Sequence, residues 1–275
     1  MVYYTKGLTM KQLKKYILGL ALALFLLPTL SMAEHIWVGV YSKETPYTTQ
    51  TFISNKKMKN LNRLIEKEWD NGFLITDLQY GDNIWTATLS KGTEYTNQVY
   101  VKKRAWKKFE ATLATYLKDG FALVNVEYGD GTWAAVLVKG TKYTDTQYDA
   151  VRYWDDFLVT VDKRWKEGYY LIDVEPADGM WVGVFAKNTG YKEQAYDALD
   201  DWDGVDEKIK QRWKKGFRLS NIEYGDGKWF CLFVKDEHKK GESYSQSDGI
   251  QLFSKNISKH WDKGYHIIDT AEGRR

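Results

Sequence analysis

Five polar residues stand at intervals of 48 along a chain of 275: Asp77, Asn125, Asp173, Asn221 and Asp269. Each sits inside an otherwise apolar run (LITDLQY, LVNVEY, LIDVEP, LSNIEY and IIDTAE), where Asp and Asn run against β propensity. Two readings of the column stand. Each residue can hydrogen-bond to a neighbouring strand or helix and hold the fold together. Alternatively, the five converge as a polar ring on a central channel and bind one ligand there. Asp77, Asp173 and Asp269 also raise the chemistry of paired carboxylates acting on a glycan. Repetition supplies no distinctive acid and base, however, and Asn replaces Asp in two of the five places.

Other groups with chemical potential weigh less. Cys231 falls in a column of small residues (Gly39, Ala87, Ala135, Gly183) and reads as a packing position. That argues against a pentein-type enzyme, a five-unit α/β ring that needs a central nucleophilic Cys with His and acidic partners. His35, His238, His260 and His266 form no ligand pair at helical spacing, and no metal is expected. Asn256-Ile257-Ser258 matches a glycosylation sequon but lies in a helical register. The aspartates Asp82, Asp130, Asp178 and Asp226 recur before Gly or Asn, with none of the alternating oxygen ligands of a calcium loop. They mark tight turns.

These residues recur because the chain does. Trp37, Trp85, Trp133, Trp181 and Trp229 are 48 apart; so are Trp69, Leu117, Trp165, Trp213 and Trp261, and so are Gly72, Gly120, Gly168, Gly216 and Gly264. A period of this length denotes a repeat architecture. Each unit opens with an amphipathic helix whose apolar columns are Met58/Trp106/Trp154/Trp202/Ile250, Leu61/Phe109/Phe157/Val205/Phe253 and Ile65/Leu113/Val161/Ile209/Ile257. The recurrent glycine fits its C-terminal cap. A strand follows, then a two-residue turn (Asp-Gly or Asp-Asn), then a second strand such as WAAVLVK. Such turns require positive φ at both positions and predict hairpins. A Thr-x-Tyr loop (Tyr47, Tyr95, Tyr143, Tyr191) then leads through the aromatic column Phe52/Tyr100/Tyr148/Tyr196/Tyr244 into the next helix. Lys43, Lys91, Lys139, Lys187 and Lys235 end the second strands, as a further polar ring or as solvated strand ends.

The two ends are complementary. The last unit stops after its first strand at Arg275, and IWVGVYSK near the N-terminus is an orphan second strand. The expected fold is therefore an α+β repeat protein of five helix–β-hairpin units. They close into an α/β propeller-like toroid in which the N-terminal strand completes the last unit and leaves no free sheet edge.

Residues 1–33 are set apart. A basic start (Lys11, Lys14, Lys15), an apolar run from Tyr16 to about Leu27, and Ser31-Met32-Ala33 have the form of a secretory signal. Met10 is an alternative start. The apolar run is short and contains Pro28, which argues against a stable membrane span. This segment carries four lysines and no acid, so 36 of the 40 basic residues remain against 37 acidic ones, a net charge of −1. No electrostatic case for nucleic acid survives. A single Cys excludes a disulfide-built domain. Residues 34–275 are expected to be one exported domain, periplasmic or extracellular, monomeric and without a cofactor.

The pattern W-x-x-G-[FY]-x-[IL]-x-x-[VIL]-x-Y-G-D-G-x-W, carried best by Trp69–Trp85 and Trp213–Trp229, covers residues 36–275. It resembles an uncharacterised repeat domain that follows the catalytic domain of plant casein-kinase-like (MUT9-type) kinases and also occurs in bacterial proteins. No Gly-rich phosphate loop, H-R-D or D-F-G is present. The resemblance implies a fold and an accessory or binding role, and no catalytic residues. The expected function is a non-catalytic binding or scaffold module for a protein or glycan; the alternative is a glycan hydrolase built on the Asp77/Asp173/Asp269 carboxylates.

Overall fold

The computed structural model describes residues 35–237 and 241–275. The signal-like segment 1–33, the alternative start at Met10, and His238 with its two following lysines lie outside the described residues. Residues His35–Arg275 form one compact unit.

The repeat is visible as five helices and five three-stranded antiparallel sheets among the described residues. The first complete unit runs β2 (Thr49–Asn55), α1 (Met58–Asp70), β3 (Leu74–Gly81) and β4 (Ile84–Lys91). The second is β5 (Asn97–Lys103), α2 (Trp106–Lys118), β6 (Ala122–Gly129) and β7 (Thr132–Lys139). The third is β8 (Thr146–Val151), α3 (Trp154–Lys166), β9 (Tyr170–Ala177) and β10 (Met180–Ala186). The fourth is β11 (Glu193–Leu199), α4 (Trp202–Lys214), β12 (Arg218–Gly225) and β13 (Lys228–Lys235). The fifth takes β14 (Glu242–Asp248), α5 (Ile250–Trp261) and β15 (His266–Arg274), and borrows β1 (His35–Ser42) from the other end of the chain. Its sheet order is β14-β1-β15, matching β2-β4-β3 in the first unit. Strand β1 pairs with both neighbours, Trp37 opposite Ser247 on one side and Glu272 on the other.

The expected helix–β-hairpin unit is thus one strand short. The third strand is the segment of the Phe52 column, and the sequence hides it for a physical reason. Strands β2, β5, β8, β11 and β14 pair on one side only and stay partly exposed, so TQTFISN or ESYSQSD needs no apolar run. The hairpins form as the turn chemistry requires. Asp82 and Asn83 have φ of 45° and 58°, and Asp130 and Gly131 have 47° and 66°.

The middle strands β1, β4, β7, β10 and β13 are buried on both faces. In β7, Trp133, Ala135 and Leu137 pack under α2, while Ala134, Val136 and Val138 join the core of the preceding unit. The same holds for Val182 and Val184, for Phe230 and Leu232, and for Val38 and Val40. One seam differs. Strand β4 presents Thr86, Thr88 and Ser90 at those positions, all buried, so its second face is polar. In the lysine column Lys43 is exposed and the other four are half-buried, and all five lie over aromatic rings. Lys43, Lys91, Lys139, Lys187 and Lys235 each place Nζ 4.4–4.7 Å from the ring of Tyr265, Phe73, Phe121, Tyr169 or Phe217, the residue after the helix-capping glycine.

Two outcomes follow for this architecture. Thr88 is fully buried and its Oγ1 has no partner, so Thr88→Val should raise stability by about 1 kcal/mol, read as a higher midpoint in urea. Because Gly273 pairs with Ile36 as Gly81 pairs with Ile84, the ends can be joined through the repeat's own turn. A permutant with Arg274→Asp and Arg275→Gly fused directly to Ile36, opened at the exposed bend Arg104–Ala105, should keep the parent circular dichroism spectrum and cooperative melting.

Candidate functional site

The inner strands β3, β6, β9, β12 and β15 carry the Asp/Asn column. Each contains a β-bulge at the same place: Ile75 and Asp77 bond to adjacent residues of β4, with Thr76 the extra residue between them. The bulge recurs before Asn125, Asp173, Asn221 and Asp269. A bulge re-aims the side chains around it. The extra residues Thr76, Val124, Ile172, Ser220 and Ile268 all line one cavity, while the Asp/Asn column behind them is buried.

The structure places that column between units. Asp173 accepts from the side chain of Asn125 (3.2 Å) and from the Val126 N–H (2.8 Å) of the preceding unit. Asp269 does the same with Asn221 (3.2 Å) and the Ile222 N–H (2.6 Å). Acid and amide alternate so that each such acid meets a donor, but five places cannot alternate completely. Asp77 therefore faces unit five without an Asn, and Thr270 donates to it instead (2.6 Å). Burial pushes the carboxyls of Asp77 and Asp173 up to about 7, and that of Asp269 well above its usual range. None of the five lines either of the two cavities described below.

Two residues further along lies a layer that the sequence analysis does not single out: Gln79, Glu127, Glu175 and Glu223, with Ala271 in the fifth place. All four polar side chains are buried, and Glu127, Glu175 and Glu223 each bring an oxygen within 4.8 Å of the others. Burial, then the neighbouring carboxylates, raises all three carboxyls well above the usual range. Their signal was present as acids inside the apolar runs VNVEY, IDVEP and SNIEY.

A third set of bonds explains a break in the repeat. Gln98 of the second unit accepts from Trp69 Nε1 (3.0 Å) and the Ile75 N–H (2.9 Å), and donates to the Ile75 carbonyl (2.8 Å). Gln194 repeats this on Trp165 and Leu171, and Gln50 on Trp261 and Ile267. Where Leu117 replaces the tryptophan there is no indole N–H to satisfy. The partner there is Thr146, which accepts only from the Leu123 N–H (3.1 Å).

At one end of the inner strands is a cavity of about 390 Å³, lined by Tyr47, Tyr95, Tyr143, Tyr191 and Arg218 together with the bulge residues. The tyrosines are half-buried, and loss of water around their hydroxyls raises the phenols above their ordinary value, so they are neutral donors. Arg218 is fixed by Asp236, with Nε 2.8 Å and a terminal nitrogen 2.5 Å from the same oxygen. The opposite cavity, about 420 Å³, is lined by the glutamate layer and by Tyr80, Tyr128 and Tyr224.

The remaining candidates are engaged elsewhere. Cys231 is fully buried, and burial raises its thiol. The three described histidines stand apart: His35 on Glu272 (2.5 Å), His266 on Thr45 (2.7 Å), and His260 stacked on Tyr41 at 3.8 Å. The side chain of Asn256 donates to Ser247 at 2.8 Å.

A family model described as a domain of unknown function (DUF7477) matches residues 28–275, and the chain belongs to that family. No curated protein matches the chain.

The glutamine staple yields a direct test. Gln98→Ala leaves an indole N–H and both groups of one peptide unpaired and should cost about 3 kcal/mol, lowering the melting temperature by roughly 2–4 °C per kcal/mol. Leu117→Trp with Thr146→Gln should be more stable than the two single changes predict, a positive coupling in a double-mutant cycle.

Proposed function

We propose that this is an exported, non-catalytic binding module, acting in the periplasm or medium, whose ligand is a short glycan held in the tyrosine-lined cavity. The observation that carries this is the convergence of four tyrosines and one guanidinium on a single concavity of about 390 Å³. Such a volume suits a small ligand. Neutral phenols offer both ring faces and hydroxyl donors, the chemistry that sugars take.

The same reading closes the five units into a toroid. Three contacts from unit five to unit one support it: Gln50 on Ile267, Thr270 on Asp77, and the Glu272 side chain over Gly81, where any Cβ would collide with it. They repeat the bonds between the other units, such as Tyr80 over Gly129. The cavity then lies on the axis and is shared by all units.

Glycan hydrolysis is disfavoured because Asp77, Asp173 and Asp269 are between 4% and 6% exposed and bonded to neighbouring units. A protein ligand is less suited because the described surface shows Tyr153, Val159 and Leu252 as its exposed large hydrophobics, scattered singly. The resemblance to the domain beside MUT9-type kinases supports an accessory role, and the signal-like form of residues 11–33 supports export.

A glycan array with the purified protein should give specific binding. Replacing Tyr95 and Tyr143 by Phe should weaken it by about 5–100-fold, one to two lost hydrogen bonds' worth, with an unchanged melting temperature. Binding only to proteins, or turnover of the glycan, would count against the reading.

A further inference from the structure

The glutamate layer lies on the opposite side of the Asp/Asn column from the tyrosine cavity, and nothing in the binding reading uses it. We propose that Glu127, Glu175 and Glu223 hold a hard divalent cation of the calcium and magnesium class.

The first ground is the donor set. Three carboxylates come from three separate strands, with oxygens mutually within 4.8 Å and exposures of 2%, 5% and 4%. Among the described residues no Lys or Arg forms an ion pair with any of them. Ionising three buried carboxyls together is costly without a counter-charge, and oxygen-only ligation selects hard cations over zinc or copper.

The second ground is what the carboxylates lack. One of the three is already held: Glu223 accepts from Gln79 Nε2 at 3.3 Å. Yet Glu127 Oε2 is buried with no partner at all. In the next layer, Asn125 Oδ1 and Asn221 Oδ1 are likewise buried and unpartnered, two residues before Glu127 and Glu223 on the same strands. Carboxyls sharing protons among themselves would satisfy that oxygen. A cation satisfies it directly.

The third ground is access. The three glutamates line the cavity of about 420 Å³ that also holds Tyr80, Tyr128 and Tyr224. That cavity gives water a route to complete a six- to eight-oxygen shell around the ion.

The tyrosines make the site readable. Terbium(III), a calcium stand-in, should show luminescence on tyrosine excitation when added to the chelator-stripped full chain, at one ion per chain, and calcium or magnesium should compete it away. Calcium alone should raise the melting temperature by several degrees. Glu175→Gln keeps the shape and removes a charge. It should weaken binding at least tenfold while raising the melting temperature of the metal-free protein, a gain that a purely structural role would not produce. Should Glu175→Gln not fold, Glu127→Gln carries the same test. No luminescence and no thermal shift with calcium, magnesium or terbium at millimolar concentration would mean that protons alone neutralise the layer, and would overturn the proposal. So would binding left intact when all three glutamates are changed to Gln.

Discussion

Each unit of this protein ends in a sheet edge, and the satisfaction of that edge organises the interior. An inner strand pairs with its middle strand on one side, which leaves the peptide groups on the other side without backbone partners. Buried peptide groups need partners, and here the next unit provides them from side chains. Gln98 caps the peptide groups of Ile75. Asp173 takes the N–H of Val126, and Asp269 that of Ile222. The inner strand of the second unit is served at two levels by its neighbour, Leu123 by Thr146 and Val126 by Asp173, so these polar residues of the neighbour are buried.

This accounts for polar side chains that would otherwise look misplaced. Asp in a core strand is unfavourable on local grounds, and is accommodated where it meets a donor from the neighbouring unit, a peptide N–H for Asp173 and Asp269 and a hydroxyl for Asp77. It also explains coupled departures from the repeat. Leu117 and Thr146 change together because a leucine has no N–H to give, and Asp77 takes a threonine because an odd number of places cannot alternate acid and amide. Glycine is required where the side chain of one unit lies over the backbone of the next, as Tyr80 does over Gly129 and Tyr224 over Gly273.

The same device creates the places where function can sit. Once edge bonding has consumed the Asp/Asn column, two groups remain at its two ends. On one side the bulge residues, the tyrosines and Arg218 line a hydroxyl-rich cavity. On the other, three glutamates remain with more acceptor capacity than the backbone uses. Symmetry builds the scaffold. The departures from it, Arg218 on one side and Ala271 on the other, give each end its own chemistry.

Much of the fold was legible from residue spacing. The 48-residue period, the helix faces ending at Trp69 and its equivalents, the capping glycines and the turns with positive φ are all set within a few residues, where sterics and hydrophobic periodicity act. Of the sheets, the apolar middle strands were legible and the polar outer strands were not, since a half-exposed strand leaves no apolar pattern. The complementary ends were also readable, because a missing half-unit at one end matched an orphan strand at the other. What only the tertiary structure decided was which side chains meet. Asn125 and Asp173 are 48 residues apart, and Thr270 and Asp77 are 193 apart. The glutamate layer gathers three strands, and each lysine of its column finds an aromatic ring. Contacts across such distances depend on how units stack and where a bulge turns a side chain, and no local pattern encodes that.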